Sequence, residues 1–332
     1  MKNILNALFE FQELSHAEAR EILHDIASGK FNETQIAAFL AAYRMRPVTV
    51  DELRGFRQAL VELCRPVDLR GRETIDLCGT GGDGKDTFNV STLTSFVVAG
   101  AGYGVSKHGN YGVSSTCGSS NVMEHLGYRF TNDPEALNRQ LDAANICFLH
   151  APLFHPAMKA VAPVRRALGL KTFFNMLGPL VNPARPANQL VGVFNLELAR
   201  LYKYIFQQEG TRYSIVHSLD GYDEVSLTGP FRRITPEGDA LVHPAEIGFA
   251  TVAPEDLFGG ATVPEAADIF LRVISGAGTP VQTSVVLANA TLAIHTMRPE
   301  LSFDAAREQA EKSLYDGKAQ QSFETLLELS IQ

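Results

Sequence analysis

From residue 74 onward the chain changes its period, and that change limits the fold more than any other feature. Short β-rich runs, TIDLC (74–78), YGVSKH (103–108), ICFLH (146–150), QLVGVF (189–194) and YSIVHSL (213–219), alternate with helical stretches such as 119–126, 156–168 and 196–209. Strands spaced by helix-length connections predict an α/β sheet whose strands run mostly parallel, because a parallel neighbour is reached only by a crossover. Sheets of this kind bind ligands beyond the carboxyl ends of their strands. The loops after those runs are therefore where chemistry is expected. The C-terminal third is expected to alternate again and to end in a helix-rich run from Pro264.

The opening of the chain reads as helices. Ser15 to Glu18 and Thr49 to Glu52 are capping boxes, in which hydroxyl and carboxylate satisfy orphan backbone donors; Asn32 with Gln35 is a looser version. Gly29 can close one helix, and Pro66 lies beyond the last. The expectation is a small all-helical domain over 1–66 and a large α/β domain over 71–332 with a central, mostly parallel sheet. The stretch LGLKTFFNMLGPLVNPARPANQ (168–189) breaks the alternation and reads as a linker or as a crossing back, part of it joining the helical domain. In a chain of 332 residues, 45% hydrophobic, two such units are the default and a sizeable core is available to them.

A formal charge of −8 argues against gripping nucleic acid or an anionic membrane, each of which calls for a basic face. The four cysteines, Cys64, Cys78, Cys117 and Cys147, show neither CxxC pairs nor histidines at metal spacing. They read as reduced thiols of a cytoplasmic protein, not as a zinc site or a disulfide framework. The start, MKNILNALFEF, lacks the long apolar core of a leader, and FVVAGAGYGV, from Phe96, is too short to span a bilayer, so a soluble, unexported protein is expected.

The loop after the first strand, within TIDLCGTGGDGKDTFNVST (74–92), imitates two nucleotide motifs. Gly79, Gly81 and Gly84 spell a dinucleotide fingerprint, but no Asp or Glu lies between Asp86 and Glu124 to hold a ribose. Gly79 to Lys85 spell most of a P-loop, but Asp86 stands where a magnesium-binding Ser or Thr is required. What remains is a strand, a flexible loop, and NVST opening an apolar helix at 93–99. There Asn89, Ser91 and Thr92 offer donors at a helix N-terminus, a seat for phosphate or an ordinary polar cap. The second loop, KHGNYGVSSTCGSSN, adds one cation, Lys107, to the small donors Asn110, Ser114, Ser115 and Ser119, a set suited to a multiply charged phosphate. His108 alone is more often structural. In GYDEV (221–225), Asp223 and Glu224 are either hard-oxygen ligands for magnesium or a solvated turn. In HPAMKAVAPVRRALG (155–169), Lys159, Arg165 and Arg166 share a helix interrupted by Pro163; one arginine aimed inward would clamp a carboxylate, although most helix arginines face water.

Taken in order over nearly the whole chain, GTGGDG, TFNVST, KHGN, SS, GSSNVME, HPAMKAVAPVR, LGPLVNPA and DGYDE resemble the anthranilate phosphoribosyltransferase family. The resemblance implies a helical domain beside an α/β domain with the active site in the cleft between them, a homodimer through the helical part, and a requirement for Mg2+. It implies transfer of the phosphoribosyl group of phosphoribosyl pyrophosphate to the amine of anthranilate, with release of pyrophosphate. Carried over by motif, Gly79, Gly82, Asp83 and Thr87 form the loop over sugar and pyrophosphate, and Asn89, Val90, Ser91 and Thr92 seat a phosphate. Lys107, His108, Gly109, Asn110, Ser114, Ser115 and Ser119 hold the remaining phosphate and ribose groups. Gly79, Asn110 and Arg165 contact anthranilate, and Ser91, Asp223 and Glu224 bind metal. Lys85 is expected to be dispensable.

No acid-base pair is demanded, since the acceptor amine is already a nucleophile and positioning carries the rate. The chain departs from the family's pattern at Tyr111, at GSSNVME and at Phe154 before His155, which bears on the geometry of the second loop. A pyrimidine nucleoside phosphorylase would not need Asp223 and Glu224. A non-catalytic relative that binds nucleic acid is opposed by the charge of −8.

Overall fold

The computed structural model describes residues 1–112 and 117–331. The chain divides into two compact units, Met1–Val67 with Ala151–Arg185, and Asp68–His150 with Pro186–Gln332. The first opens with α1 (Lys2–Phe9), α2 (His16–Ala27), α3 (Glu33–Met45) and α4 (Val50–Leu63). Ser15, Asn32 and Thr49 each close a complete capping box, so the Asn32–Gln35 pair is as fully formed as the other two. Glu52 does more than cap. Its buried carboxylate accepts from Thr49 N, Leu14 N and the Tyr43 hydroxyl, each at 2.9 Å, and pairs with the Arg46 guanidinium. Burial alone would raise this carboxyl, but Arg46 and the backbone donors outweigh it and hold it below the ordinary glutamate value.

The second unit begins with β1 (Ile75–Gly79), α5 (Val90–Gly100), β2 (Val105–Gly109), α6 (Ser119–His125), α7 (Pro134–Ala144) and β3 (Ile146–His150). The chain then returns to the helical unit as α8 (Ala151–Phe154), α9 (Met158–Leu168) and two 3₁₀ turns, Phe173–Met176 and Gly178–Leu180. This return is wider than the part of 168–189 expected, because anchoring contacts, polar and apolar, lie along its whole length. Phe154 O accepts from Arg65 N at 2.8 Å, the Phe173 ring stacks on Phe56 at 4.4 Å, and Leu180 O accepts from Arg57 at 2.8 Å.

Back in the second unit follow β4 (Asn188–Gly192), α10 (Leu196–Glu209), β5 (Arg212–Ser218), β6 (Phe231–Ile234) and β7 (Asp239–Val242). Four helices end it, α11 (Val263–Ile274), α12 (Pro280–Met297), α13 (Phe303–Tyr315) and α14 (Lys318–Ile331). The sheet order is β3-β2-β1-β4-β5-β6-β7, parallel from β3 to β5 and antiparallel at β6 and β7. The C-terminal third therefore does not alternate as expected; an antiparallel hairpin is followed by helices. The cause is visible in α12, which is buried at every residue from Val285 to Ile294 and so forms the middle of a helical layer, not a crossover.

The order places β1 between β2 and β4. Successive crossovers leave β1 in one direction and β4 in the other, and the right-handed rule for such crossovers puts their helices on opposite faces of the sheet. A crevice opens where they part, at the carboxyl ends of β1 and β4.

Candidate active site

The chain fills that crevice with two carboxylates. The loop following β5 runs back across the ends of β1 and β4, and it passes so close that only glycine fits beneath it. A Cβ on Gly79 would overlap the Asp223 carboxylate, and one on Gly192 would overlap the Asp223 carbonyl. Gly81 N donates to Asp223 Oδ2 at 2.6 Å. Burial, then the charge of Asp83, push the Asp223 carboxyl up to about 7. Burial and then Asp223 raise Glu224 well above its ordinary value, with Thr87 in partial opposition. Among the described residues the buried Oε1 of Glu224 has no hydrogen-bond partner. Two adjacent acids in a poorly solvated place, one with an unused oxygen, are stable as anions only when a cation arrives. Among the described residues no group of three or more His, Cys, Asp or Glu side chains could hold a metal ion. The pair with Ser91 is a hard-oxygen donor set that fits an ion like Mg2+, which keeps waters and takes further oxygens from phosphates.

The glycine loop itself is built by backbone. Gly81, Gly82 and Gly84 take φ of +67°, +84° and +74°, a region closed to most side chains. Asp83 accepts from Lys85 N at 3.2 Å and, at 3.5 Å, from Asp223 N. Thr87 pairs with Phe258 in an isolated bridge. Lys85 is not idle, because its ammonium lies 4.6 Å from the centre of the Tyr222 ring and so joins this loop to the acidic one.

Helix α5 begins at Val90 with Asn89 as its cap residue, yet the Asn89 side chain makes no cap bond and donates instead to Cys117 O at 3.2 Å. Val90 and Thr92 are buried. Ser91 lines the same small cavity as Gly79, Gly192, Asp223 and Glu224. Lys107 is not a surface cation: it is 1% exposed, donates to Leu77 O at 2.7 Å and reaches Ser91 Oγ at 3.4 Å. Burial lowers its pKa and Asp76 opposes the shift. Asp76, absent from the sequence expectations, is fully buried and accepts from His108 N at 3.1 Å. Its signal was present, an acid in the middle of the apolar run TIDLC.

In the second loop, Asn110 is exposed and its carbonyl accepts from Ser120 N at 3.1 Å and Ser119 Oγ at 3.4 Å. A Cβ on Gly109 would meet the Phe148 ring and Ser119 Oγ, which fixes that position as glycine. Ser114 and Ser115 lie outside the described residues. Asn121 Oδ1 accepts from both Gly112 N and Gly118 N, at 2.9 and 3.0 Å. Tyr111 packs edge-on against His150 at 4.8 Å and its hydroxyl donates to Glu124 at 3.3 Å. His150 also stacks on Phe130 at 4.3 Å, and burial lowers its pKa to about 4.

Arg165 belongs to the helical unit, on α9. It is half-buried over the Phe174 ring at 5.5 Å and donates to Asn175 Oδ1 at 3.3 Å. Lys159 and Arg166 are exposed. Phe154 is buried, and so is His155, whose pKa burial lowers to about 4.

Residues 71–320 match the glycosyl transferase family, a/b domain, and residues 2–64 its helical bundle domain. Along the whole of both chains, this sequence is 56% identical over 334 residues to the anthranilate phosphoribosyltransferase of Flavobacterium psychrophilum. The chain belongs to the anthranilate phosphoribosyltransferase family. Its fold agrees with that of the family's solved members. The Thermus thermophilus enzyme superposes with a TM-score of 0.91 at 31% identity, covering 99% of each chain. The Saccharomyces cerevisiae enzyme, solved in complex with PRPP and Mg, gives 0.91 at 26% identity over 98% of this chain and 96% of that one. A phosphorylase or a nucleic-acid-binding relative is not favoured. Among the described residues no helix is long and apolar enough to cross a membrane.

Proposed function

We infer that the protein transfers the 5-phosphoribosyl group of phosphoribosyl pyrophosphate to the amine of anthranilate. The observation that carries this reading is the cavity at the β1–β4 switch point, lined together by Ser91, Gly79, Gly192, Asp223 and Glu224. Glycine-built backbone and a helix start supply donors for phosphate, and two carboxylates await a cation beside them. In the reaction the bond from the ribose anomeric carbon to the pyrophosphate oxygen breaks, and the anthranilate nitrogen bonds to that carbon and gives up a proton to solvent. Pyrophosphate leaves with the electron pair of the broken bond. Magnesium, when bound, would offset the negative charge of the pyrophosphate.

The chain's own residues then have separate tasks. Gly79, Gly82, Asp83 and Thr87 cover the sugar pyrophosphate, and Asn89 through Thr92 present the amino end of α5 to a phosphate. Thr92 acts through its backbone, since its hydroxyl is buried. Lys107 fixes Ser91 against β1 and adds a buried positive charge whose field is poorly screened. His108, Gly109, Asn110, Ser114, Ser115 and Ser119 receive the remaining ribose and phosphate groups. Gly79 and Asn110 contact anthranilate, and Arg165 pairs with its carboxylate. Asp223, Glu224 and Ser91 hold Mg2+. Exposed Phe9, Phe11 and Met45 support a homodimer through the helical unit, and a cytoplasmic location accords with the free cysteines.

Lys107→Ala, and Asp223→Ala combined with Glu224→Gln, are expected to lower kcat/KM by about 10²- to 10³-fold with the circular dichroism spectrum unchanged. Near wild-type rates in both would remove these assignments.

A further inference from the structure

We propose that Asn289, on α12, is a positioning residue that aims the Asp223–Glu224 pair. The inference rests on the metal-binding reading above and adds the part that holds the pair in place. Asn289 is 4% exposed. Its carboxamide pairs with both backbone groups of Val225, the residue after Glu224: Oδ1 accepts from Val225 N at 3.2 Å, and Nδ2 donates to Val225 O at 2.9 Å. Nδ2 also donates to Val285 O, one turn back on the same helix, at 2.8 Å. The amide head is thus spent, on its loop side, on a single residue of the acidic loop. Ser218, at the end of β5, donates to Glu224 O at 2.7 Å. The Glu224 peptide is held on its carbonyl by the strand and at the next residue by the helix.

The arrangement answers a specific need. Asp223 is held through its own carboxylate by Gly81 N. Glu224 takes a hydrogen bond from the Thr87 side chain and keeps a buried Oε1 without a partner among the described residues, so its aim also depends on how the backbone beneath it is held. Adjacent buried carboxylates repel once both are ionised, as metal binding requires, and a loose loop would relieve that repulsion by swinging outward. A side chain that pairs like a strand edge with the following residue resists this swing, and it does so from the central buried helix of the unit. Asn289 borders the same cavity as both carboxylates.

The test is Mn2+ binding in the presence of inorganic pyrophosphate, followed by electron paramagnetic resonance, which requires no turnover. Asn289→Ala should weaken Mn2+ binding about tenfold or more, and in the assay the half-saturating Mg2+ concentration should rise while the KM for anthranilate stays as in wild type. Thr291→Ala is the control, since it deletes a buried hydroxyl bonded at 2.7 Å to Leu287 O on the same helix, away from the acidic loop. It should lower stability and leave Mn2+ affinity alone. Wild-type Mn2+ affinity in Asn289→Ala, or equal weakening in both variants, overturns the inference. If Asn289→Ala does not fold, Ser218→Ala is read in its place: weakened Mn2+ binding supports the clamp and unchanged binding overturns it. Should Asp223→Ala with Glu224→Gln keep wild-type Mn2+ affinity, the metal-pair reading falls and takes this inference with it. If that double variant loses Mn2+ while Asn289→Ala retains it, the inference alone falls.

Discussion

Gly192 carries as much of the site as any charged residue, although it has no side chain to contribute. The Asp223 backbone occupies the space where its Cβ would be, with backbone on both sides of the contact. Gly192→Ala must therefore push the acidic loop away from β4. A displacement on the order of 1 Å of a positioning loop costs about 10²-fold in rate, and that loss of kcat/KM is the expected outcome in steady-state kinetics, with little change in the spectrum of the folded protein. Asp223 makes a second claim at this scale. A carboxyl pushed up to about 7 by burial keeps its proton in the folded protein where the unfolded chain has lost it. Through this group the metal-free protein therefore becomes less stable as pH rises from about 4 to about 7. Asn does not titrate, so the stability of Asp223→Asn relative to wild type should grow across that interval in urea unfolding with chelator present. A difference that stays flat would contradict the burial argument.

Elements, unlike single residues, were largely legible from pattern. The runs TIDLC, YGVSKH, ICFLH, QLVGVF and YSIVHSL fall on β1 to β5 with shifts of a residue or two, and 196–209 is α10. Their alternation with helices is a local signal, and so are the three capping boxes. The β6–β7 hairpin was missed because FRRI and DALV are short, half-exposed and carry little period. Helix α12 was hard to assign by period because it is buried all round. The wide return of 151–185 was illegible for another reason: Phe173 finds Phe39, Tyr43 and Phe56 only in three dimensions. Phe173→Ala removes a 2% exposed ring from that cluster and should cost about 3–5 kcal/mol in equilibrium unfolding of the helical unit. A cost near zero would mean that the return segment does not anchor there.

At the scale of the whole molecule, the motif order pointed to the family, and the match of 71–320 and 2–64 to its two domains accords with it. Partners made by folding were what the motifs could not supply. Nothing in GYDEV announces that Gly79 and Gly192 will lie beneath it or that Asn289 will pair with Val225, since these residues come together only when β1, β4 and α12 assemble. Lys107 was legible as a cation near phosphate, but its burial against Leu77 O and beside Asp76 depends on two strands being neighbours. Turnover requires all these parts to act at once on one pair of substrates. Its most direct test follows anthranilate fluorescence in the purified protein with phosphoribosyl pyrophosphate, with and without Mg2+. Loss of the signal is predicted only when both the sugar pyrophosphate and Mg2+ are present, and a steady signal under those conditions, or turnover of thymidine or uridine with inorganic phosphate instead, would contradict the proposed transfer.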